Sequence, residues 1–343
     1  MSLKSKIALD AMGGDFGPSE VVPAALSILN KHADLKLILV GKEDAIKEQL
    51  QKHNATEHER ISIVHAPEIV EMHEAPSHAL RNKKESSMRR AIEQVRDGNA
   101  AACVSAGNTG ALMATSRFVL KMLPGMDRPA ICTILPGIDG KHSHVLDLGA
   151  NVDSSSEQLF QFAVMGAQLT SAVENKDDPT VALLNVGEED IKGNDRVKQA
   201  ATLLEESHLN YVGYVEGNDL YTGNVDVIVC DGFVGNIALK ASEGLAEFLR
   251  HHATAQFKST IYSKFAAMIA LPVLKTLKKK IDPKNYNGAS LLGLRGIVIK
   301  SHGSADRVSF ATAIEEAIIE VDKNVPERIH EKLEQLLIDR QSI

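Results

Sequence analysis

Six short segments concentrate the residue types able to hold an anion: AMGGDFGP (11–18), SAGNTGA (105–111), DLGANVDSSS (147–156), NVGEEDIKGN (185–194), CDGFVGN (230–236) and SHGSAD (301–306). Glycine lets backbone N–H groups approach an anion closely, and the start of a following helix adds partial positive charge. The competing use of the same residues is turn formation and helix capping. One such loop is weak as a signal. A set of six describes a polar crevice.

Patterns that would mark other chemistries are missing. The chain has no G-x-x-x-x-G-K-[ST], no G-x-G-x-x-G after its first β-like run, no H-E-x-x-H and no G-x-S-x-G. Cys103, Cys132 and Cys230 form no C-x-x-C pair, and each lies in a short apolar run. They read as buried small hydrophobes rather than nucleophiles or metal ligands, and a reducing compartment suits them. His142/His144 and His251/His252 are the tight histidine groupings. They read as loop and helix-surface residues, so no metal is expected. An anion-binding enzyme with no metal, no nucleotide fingerprint and no covalent nucleophile remains.

These segments need a scaffold that presents them together. Short β-rich runs at 6–11, 36–40, 61–65, 101–105, 130–135, 145–148, 181–185, 211–215, 226–230 and 296–300 alternate with helical patterns. The alternation predicts an α/β fold with a doubly wound, largely parallel sheet in three α/β/α layers. Ligands in such sheets bind beyond the carboxyl ends of the strands, so all six loops are expected on one edge. Without repeats or linkers, residues 1–343 read as a single α/β enzyme domain, with a basic amphipathic helical protrusion at about 250–284.

Of 343 residues, 44% are apolar and 24% charged, which excludes disordered and fibrous classes. The net charge of −7, with aromatics at 4% and no Trp, argues against a nucleic-acid partner. The opening residues show no signal-peptide pattern, and the run Phe265–Leu274 is too short to span a bilayer. A cytoplasmic protein is expected, with membrane association left open. Between Arg250 and Lys280 there are seven Lys/Arg and no acid. Phe257, Ile261, Phe265, Met268 and Ile269 recur there at helical spacing, and Pro272 is expected to break or kink the helix. A basic amphipathic helix suits an acidic partner or a membrane surface. A subunit seam with solvated lysines suits it as well.

The ordered set IALDAMGGDFGP, SAGNTGA, LDLGANVD, NVGEEDIKGN, VDVIVCDGFVGNIALK and GASLLGLRGIVIKSHGSAD resembles the phosphate acyltransferase family of bacterial phospholipid synthesis, from about residue 5 to residue 320. The resemblance implies a fold like phosphotransacetylases and isocitrate/isopropylmalate dehydrogenases. It implies conversion of acyl-[acyl carrier protein] and phosphate to acyl phosphate and free carrier protein, without cofactor. It also implies a homodimer that feeds a membrane glycerol-phosphate acyltransferase. Under that resemblance, Ser105, Gly107, Asn108, Thr109, Gly110 and Ser304 are expected to bind phosphate. Lys192, Asn194, His302, Asp231 and Asn236 are expected to serve catalysis, while Asp15, Asp147, Asn151 and Asp153 order loops. Lys258, Lys264, Lys275, Lys278, Lys279 and Lys280 are the expected dock for an acidic carrier protein or a membrane. Three other readings stay open: a phosphotransacetylase-like enzyme using acyl-coenzyme A, an isopropylmalate-type dehydrogenase, and a membrane-docked scaffold.

Overall fold

The computed structural model describes the backbone of residues 6–281 and 286–341, and the side chains of these except 277–281 and 337–341. Eleven strands form one sheet: β1 (Lys6–Asp10), β2 (Lys36–Gly41), β3 (Ile61–His65), β4 (Ala102–Ser105), β5 (Ala130–Pro136), β6 (His142–Leu146), β7 (Val181–Leu184), β8 (Tyr211–Val215), β9 (Val227–Val229), β10 (Ala289–Leu292) and β11 (Ile297–Lys300). Their spatial order is β3-β2-β1-β4-β11-β10-β5-β6-β9-β7-β8. Runs such as ACVS and IVIK are buried at every position because helices cover both faces.

One face is covered by α1 (Pro18–Lys31), α2 (Glu43–Lys52) and α10 (Arg307–Lys323) over β1, β2, β4 and β11. It continues with α6 (Ser156–Glu174), α7 (Asp195–Glu205) and α11 (Val325–Gln341) over the other half. The opposite face carries α3 (Pro76–Asn82), α4 (Ser87–Arg96) and α5 (Thr109–Leu120), then the start of α8 (Gly232–Ser259). Phe162 and Phe310 are fully enclosed on the first of these faces. Burying a side chain of that kind contributes roughly 1.5–3 kcal/mol.

The polar loops define where helices begin. Asn108, Asn194, Asp231 and Asp306 each cap a helix, accepting from the N–H three residues on. Ser155 and Gln158 form a reciprocal capping box on α6. The turn-and-cap reading of these loops is therefore correct for those side chains, whatever else the loops do.

Two expectations need correction. The six loops do not share one edge. Strand β10 runs antiparallel to both β11 and β5, and β5 antiparallel to β6. Strands β6, β9, β7 and β8 are parallel to one another and so run opposite to β1, β4, β11 and β5. The loops after β1, β4 and β11 leave one edge, and those after β6, β7 and β9 leave the other. The reversal falls at the β5–β6 hairpin, whose connection PGIDGK (136–141) carries Pro-Gly and Asp-Gly turn pairs. The second correction concerns the helix break, which falls at Thr260, the C-cap of α8, rather than at Pro272 within α9 (Ile261–Ile281). With α8, α9 forms a two-helix projection carrying exposed Leu245, Phe248, Ile261, Phe265, Met268 and Ile269.

Candidate active site

The densest polar construction lies where β1, β4 and β11 end. Leu9 aligns with Val104 and Lys300 with Ser105, so Asp10, Ser105 and Lys300 finish three adjacent strands at one level. Ala8, Cys103 and Val298, two residues earlier, pack in the cluster beneath α4 and α5. Strand alternation therefore turns all three polar side chains to that face. All three are buried.

Ser105 Oγ donates to Asp10 Oδ2 at 2.6 Å and accepts from Gly107 N at 3.1 Å. Asp10 Oδ1 also accepts from Met12 N at 3.3 Å. Burial pushes the Asp10 carboxyl up, against the hydrogen bonds from Ser105, Ser87, Met12 and Gly13 that pull it down. Lys300 Nζ donates to Ala106 O at 3.4 Å and also to Ser301 O. Burial brings its pKa down to about 8, opposed by the charges of Asp10 and Asp15. A buried ammonium with a depressed pKa beside polar loops is the kind of group that functional sites assemble.

The three loops above this row interlock through glycines. A Cβ on Gly13 would sit 2.7 Å from Gly107 N, and one on Gly14, at φ 83°, 2.7 Å from Gly303 O. Asp15 N donates to Gly303 O at 2.8 Å. Asn287 orients the last loop: Oδ1 accepts from His302 N at 2.9 Å, and Nδ2 donates to Ser301 Oγ and Ser309 O. His302 Nδ1 lies 2.9 Å from Ser304 Oγ and accepts from Ser304 N at 3.2 Å. Nδ1 is thus an acceptor, and the proton of the neutral ring belongs on Nε2. Partial burial lowers the His302 pKa, helped by the cations of Lys300 and Lys240. Lys240, just over two turns into α8, adds a second positive charge that acts on Lys300 and His302.

The expected residues divide accordingly. Ser105, Gly107, Asn108, Thr109, Gly110, His302 and Ser304 gather at this edge. Ser105 is a brace within the site, because Asp10 and Gly107 engage its hydroxyl. Asn108 caps α5 through Oδ1, and its Nδ2 donates to Met72 O at 2.8 Å and Glu74 O at 3.0 Å. The N–H groups of Thr109 and Gly110 open α5 and have no intrahelical acceptor. Lys192, Asn194, Asp231 and Asn236 belong to the opposite edge. Lys192 is exposed, 4.0 Å from Glu189, while Asn194 caps α7 at 3.0 Å and Asp231 caps α8 at 2.9 Å. Asn236 is exposed beside Gly149. Within one chain these four are kept apart from Ser105 and His302.

Asp147 orders its loop as expected: its carboxylate accepts from Ile131, Gly149, Ala150 and Asn151 N–H groups and from Asn151 Nδ2. All three cysteines are buried, and burial pushes each thiol up, which suits packing rather than attack. Lys258, Lys264 and Lys275 are exposed on the two-helix projection. The side chains of Lys278, Lys279 and Lys280 lie outside the described residues. Sequence reading missed Asp10, Lys300 and Asn287. The available signal for Lys300 was a lone charge closing an otherwise apolar strand directly before a polar loop.

A three-layer α/β sheet with glycine-rich loops around a buried ammonium defines an anion-handling enzyme fold. Solved structures share the fold. A phosphotransacetylase from Streptococcus pyogenes matches with TM-score 0.63 at 16% identity, covering 92% of this chain and 94% of that one. A branched-chain phosphotransacylase from Enterococcus faecalis V583 matches at TM-score 0.56 and 15% identity, covering 92% and 99%. The family model described as "Fatty acid synthesis protein" matches residues 5–328. Proteins named "Phosphate acyltransferase" from Methylococcus capsulatus and Legionella pneumophila are 59% and 58% identical, each over 95% of this chain and 96% of theirs. The chain belongs to the phosphate acyltransferase family.

Proposed function

We propose that this enzyme transfers an acyl group from the thioester of an acyl carrier protein to inorganic phosphate, releasing acyl phosphate and the free thiol. The observation that carries the reading is the buried Lys300 ammonium set level with Ser105 and Asp10 beneath the open N-terminus of α5. Acyl transfer to phosphate needs no protein nucleophile, because phosphate itself attacks the carbonyl carbon. The enzyme's task is to hold a dianion against a thioester and to stabilise the developing oxyanion.

The chain's own groups divide that work. The N–H groups of Thr109 and Gly110 and the Lys300 ammonium supply fixed positive potential for phosphate. Asp10 holds Ser105, Ser105 holds Gly107 N, and the cradle is thereby shaped before phosphate arrives. His302 Nε2–H is a neutral donor for a phosphate oxygen or the oxyanion. The tetrahedral intermediate collapses with rupture of the C–S bond, and the sulfur leaves as thiolate. An alkyl thiol with a pKa of roughly 8.5 needs little protonation to depart. Asn194 and Asp231 cap α7 and α8 at the other edge, where Lys192 and Asn236 also lie, so within one chain these four stand outside the cradle.

The exposed cations Lys258, Lys264 and Lys275 suit an acidic carrier protein, and the apolar side of the α8–α9 projection suits a second copy of the chain in a homodimer. Surface charge of this kind mainly sets on-rate and salt dependence. No helix of the described residues is long and apolar enough to cross a membrane. Delivery of acyl phosphate to a membrane acyltransferase would then rest on surface contact.

The test is incubation with acyl-carrier protein and labelled phosphate. A hydroxylamine-sensitive labelled product is expected, and acyl-coenzyme A in a parallel arm should turn over more slowly. Trapping an acylated side chain during turnover, or nicotinamide reduction with no labelled product, would overturn the reading.

A further inference from the structure

A second polar construction lies on the opposite face of the sheet, against α6. His142 and His144 stand on β6, not in the loop expected for them. They are two residues apart, so both turn to one side, where Glu174 ends α6. His142 Nε2 lies 2.6 Å from Glu174 Oε1. His144 Nδ1 lies 3.3 Å from the same oxygen, without the alignment of a hydrogen bond. The two rings meet edge to face with centroids 5.8 Å apart. One ligand atom from each of the three residues falls within 4.8 Å of the others.

His144 is the unusual member. Its side chain is 1% exposed, yet neither ring nitrogen has a hydrogen-bond partner among the described residues. Buried polar atoms are nearly always satisfied, so two orphaned nitrogens in one ring require an explanation. Packing alone does not supply it, because an apolar residue would fill the position at lower cost. The neighbouring Asp226 is already engaged. It holds Lys176 Nζ at 2.6 Å and Thr180 through N and Oγ1 at 2.7 Å.

We propose that His142, His144 and Glu174 bind a divalent transition-metal ion of the zinc class at the junction of β6 and α6. Two imidazoles and a carboxylate are a common ligand set for zinc. Tetrahedral coordination at ordinary Zn–N and Zn–O lengths separates ligand atoms by about 3.3 Å. The His144–Glu174 separation already has that value, and the His142–Glu174 contact needs to open by well under 1 Å. His142 is 36% exposed and Glu174 27%, so an ion has access from the solvent side, where a water could complete the coordination. The backbone is firmly placed, with His144 N donating to Asp226 O at 2.8 Å and Ser143 Oγ to Val225 O at 2.7 Å. A bound ion would pin the start of a central strand to the end of the helix that covers it. The site faces away from the Asp10–Ser105–Lys300 row, so it is independent of the reaction proposed above.

The experiment uses full-length protein stripped with a chelator, then titrated with Zn²⁺ in equilibrium dialysis and with Co²⁺ followed by visible absorption. One equivalent of Zn²⁺ is expected, with Co²⁺ bands of four-coordinate intensity and a raised thermal midpoint in Zn²⁺. Glu174→Gln and His142→Gln, both at partly exposed positions, should weaken binding about tenfold or more. His144→Ala empties a buried position, so circular dichroism accompanies it. Absence of stoichiometric binding by the wild type, or wild-type affinity in the folded variants, overturns the site. The readout is metal affinity, so failure here leaves the acyltransferase reading untouched.

Discussion

Ser105 and Asp10 meet across the seam between β4 and β1: the serine hydroxyl donates to the buried carboxylate at 2.6 Å and simultaneously receives Gly107 N at 3.1 Å. A single hydroxyl thus links a carboxylate that water cannot reach to the turn that opens α5. Ser105→Ala should destabilise the protein by about 1–3 kcal/mol, the cost of orphaning a buried polar partner. It should also raise the phosphate KM, because Gly107 loses its anchor. Urea denaturation and initial rates at varied phosphate check the two effects together. Wild-type values in both would remove Ser105 from the site.

Gly13 is required by space. A Cβ there would lie 2.6 Å from Asp10 Oδ2 and 2.7 Å from Gly107 N, and the second contact is backbone that cannot swing aside. Gly13→Ala should force the first and second loops apart and cost on the order of 1–3 kcal/mol of overpacking strain. Gly98→Ala is the contrasting variant, since a Cβ there meets nothing within 4 Å, although its φ of 71° strains any side chain. Phosphate KM should rise in Gly13→Ala and stay at the wild-type value in Gly98→Ala.

Lys300 gives two linked expectations. Lys300→Met keeps most of the side-chain length and removes the charge, so phosphate KM should rise about tenfold or more if the ammonium binds the dianion. Its folded pKa of about 8 lies below the ordinary lysine value of 10.5. Below pH 8 both folded and unfolded chains carry the proton, so the burial penalty is fully present. Between pH 8 and 10.5 the unfolded chain binds more protons, and stability rises with pH. That rise should be flatter in Lys300→Met, as measured by chemical denaturation across the interval.

Glu316 and Glu320 on α10 predict the opposite slope at lower pH. Burial pushes their pKa values up to about 7 and about 8, and Glu320 is hydrogen-bonded to Ser290 Oγ. Groups raised in this way hold extra protons in the folded state. Their contribution is complete below the unfolded value of 4.5 and is lost as pH climbs through 7 to 8. Glu320→Gln mimics the protonated form, so its stability should decline less than wild type as pH rises from 4.5 to 8. An unchanged slope would show that Glu320 is ionised and solvated.

The sequence by itself determined the elements and the chemistry to look for. Apolar runs such as KIALD and IVIK are strands because burial on both faces demands them, and Asn108, Asn194, Asp231 and Asp306 start helices because their short side chains satisfy free N–H groups. The buried state of Cys103, Cys132 and Cys230 was legible in the same way, as was the ordering role of Asp147. The tertiary structure alone decided which loops meet. Strand direction is not encoded in periodicity, since AICTILP or ASLL reads the same in either sense. The turn pairs between β5 and β6 fit a hairpin or a plain loop equally, and only the pairing of Cys132 with Leu146 shows that the sheet reverses there. That reversal sends the loops bearing Ser105 and Lys192 to opposite edges. The tertiary structure also decided the surroundings of Asp10, Lys300 and His144, because hydrogen bonds spanning 95 residues, as between Asp10 and Ser105, leave no local pattern in the chain.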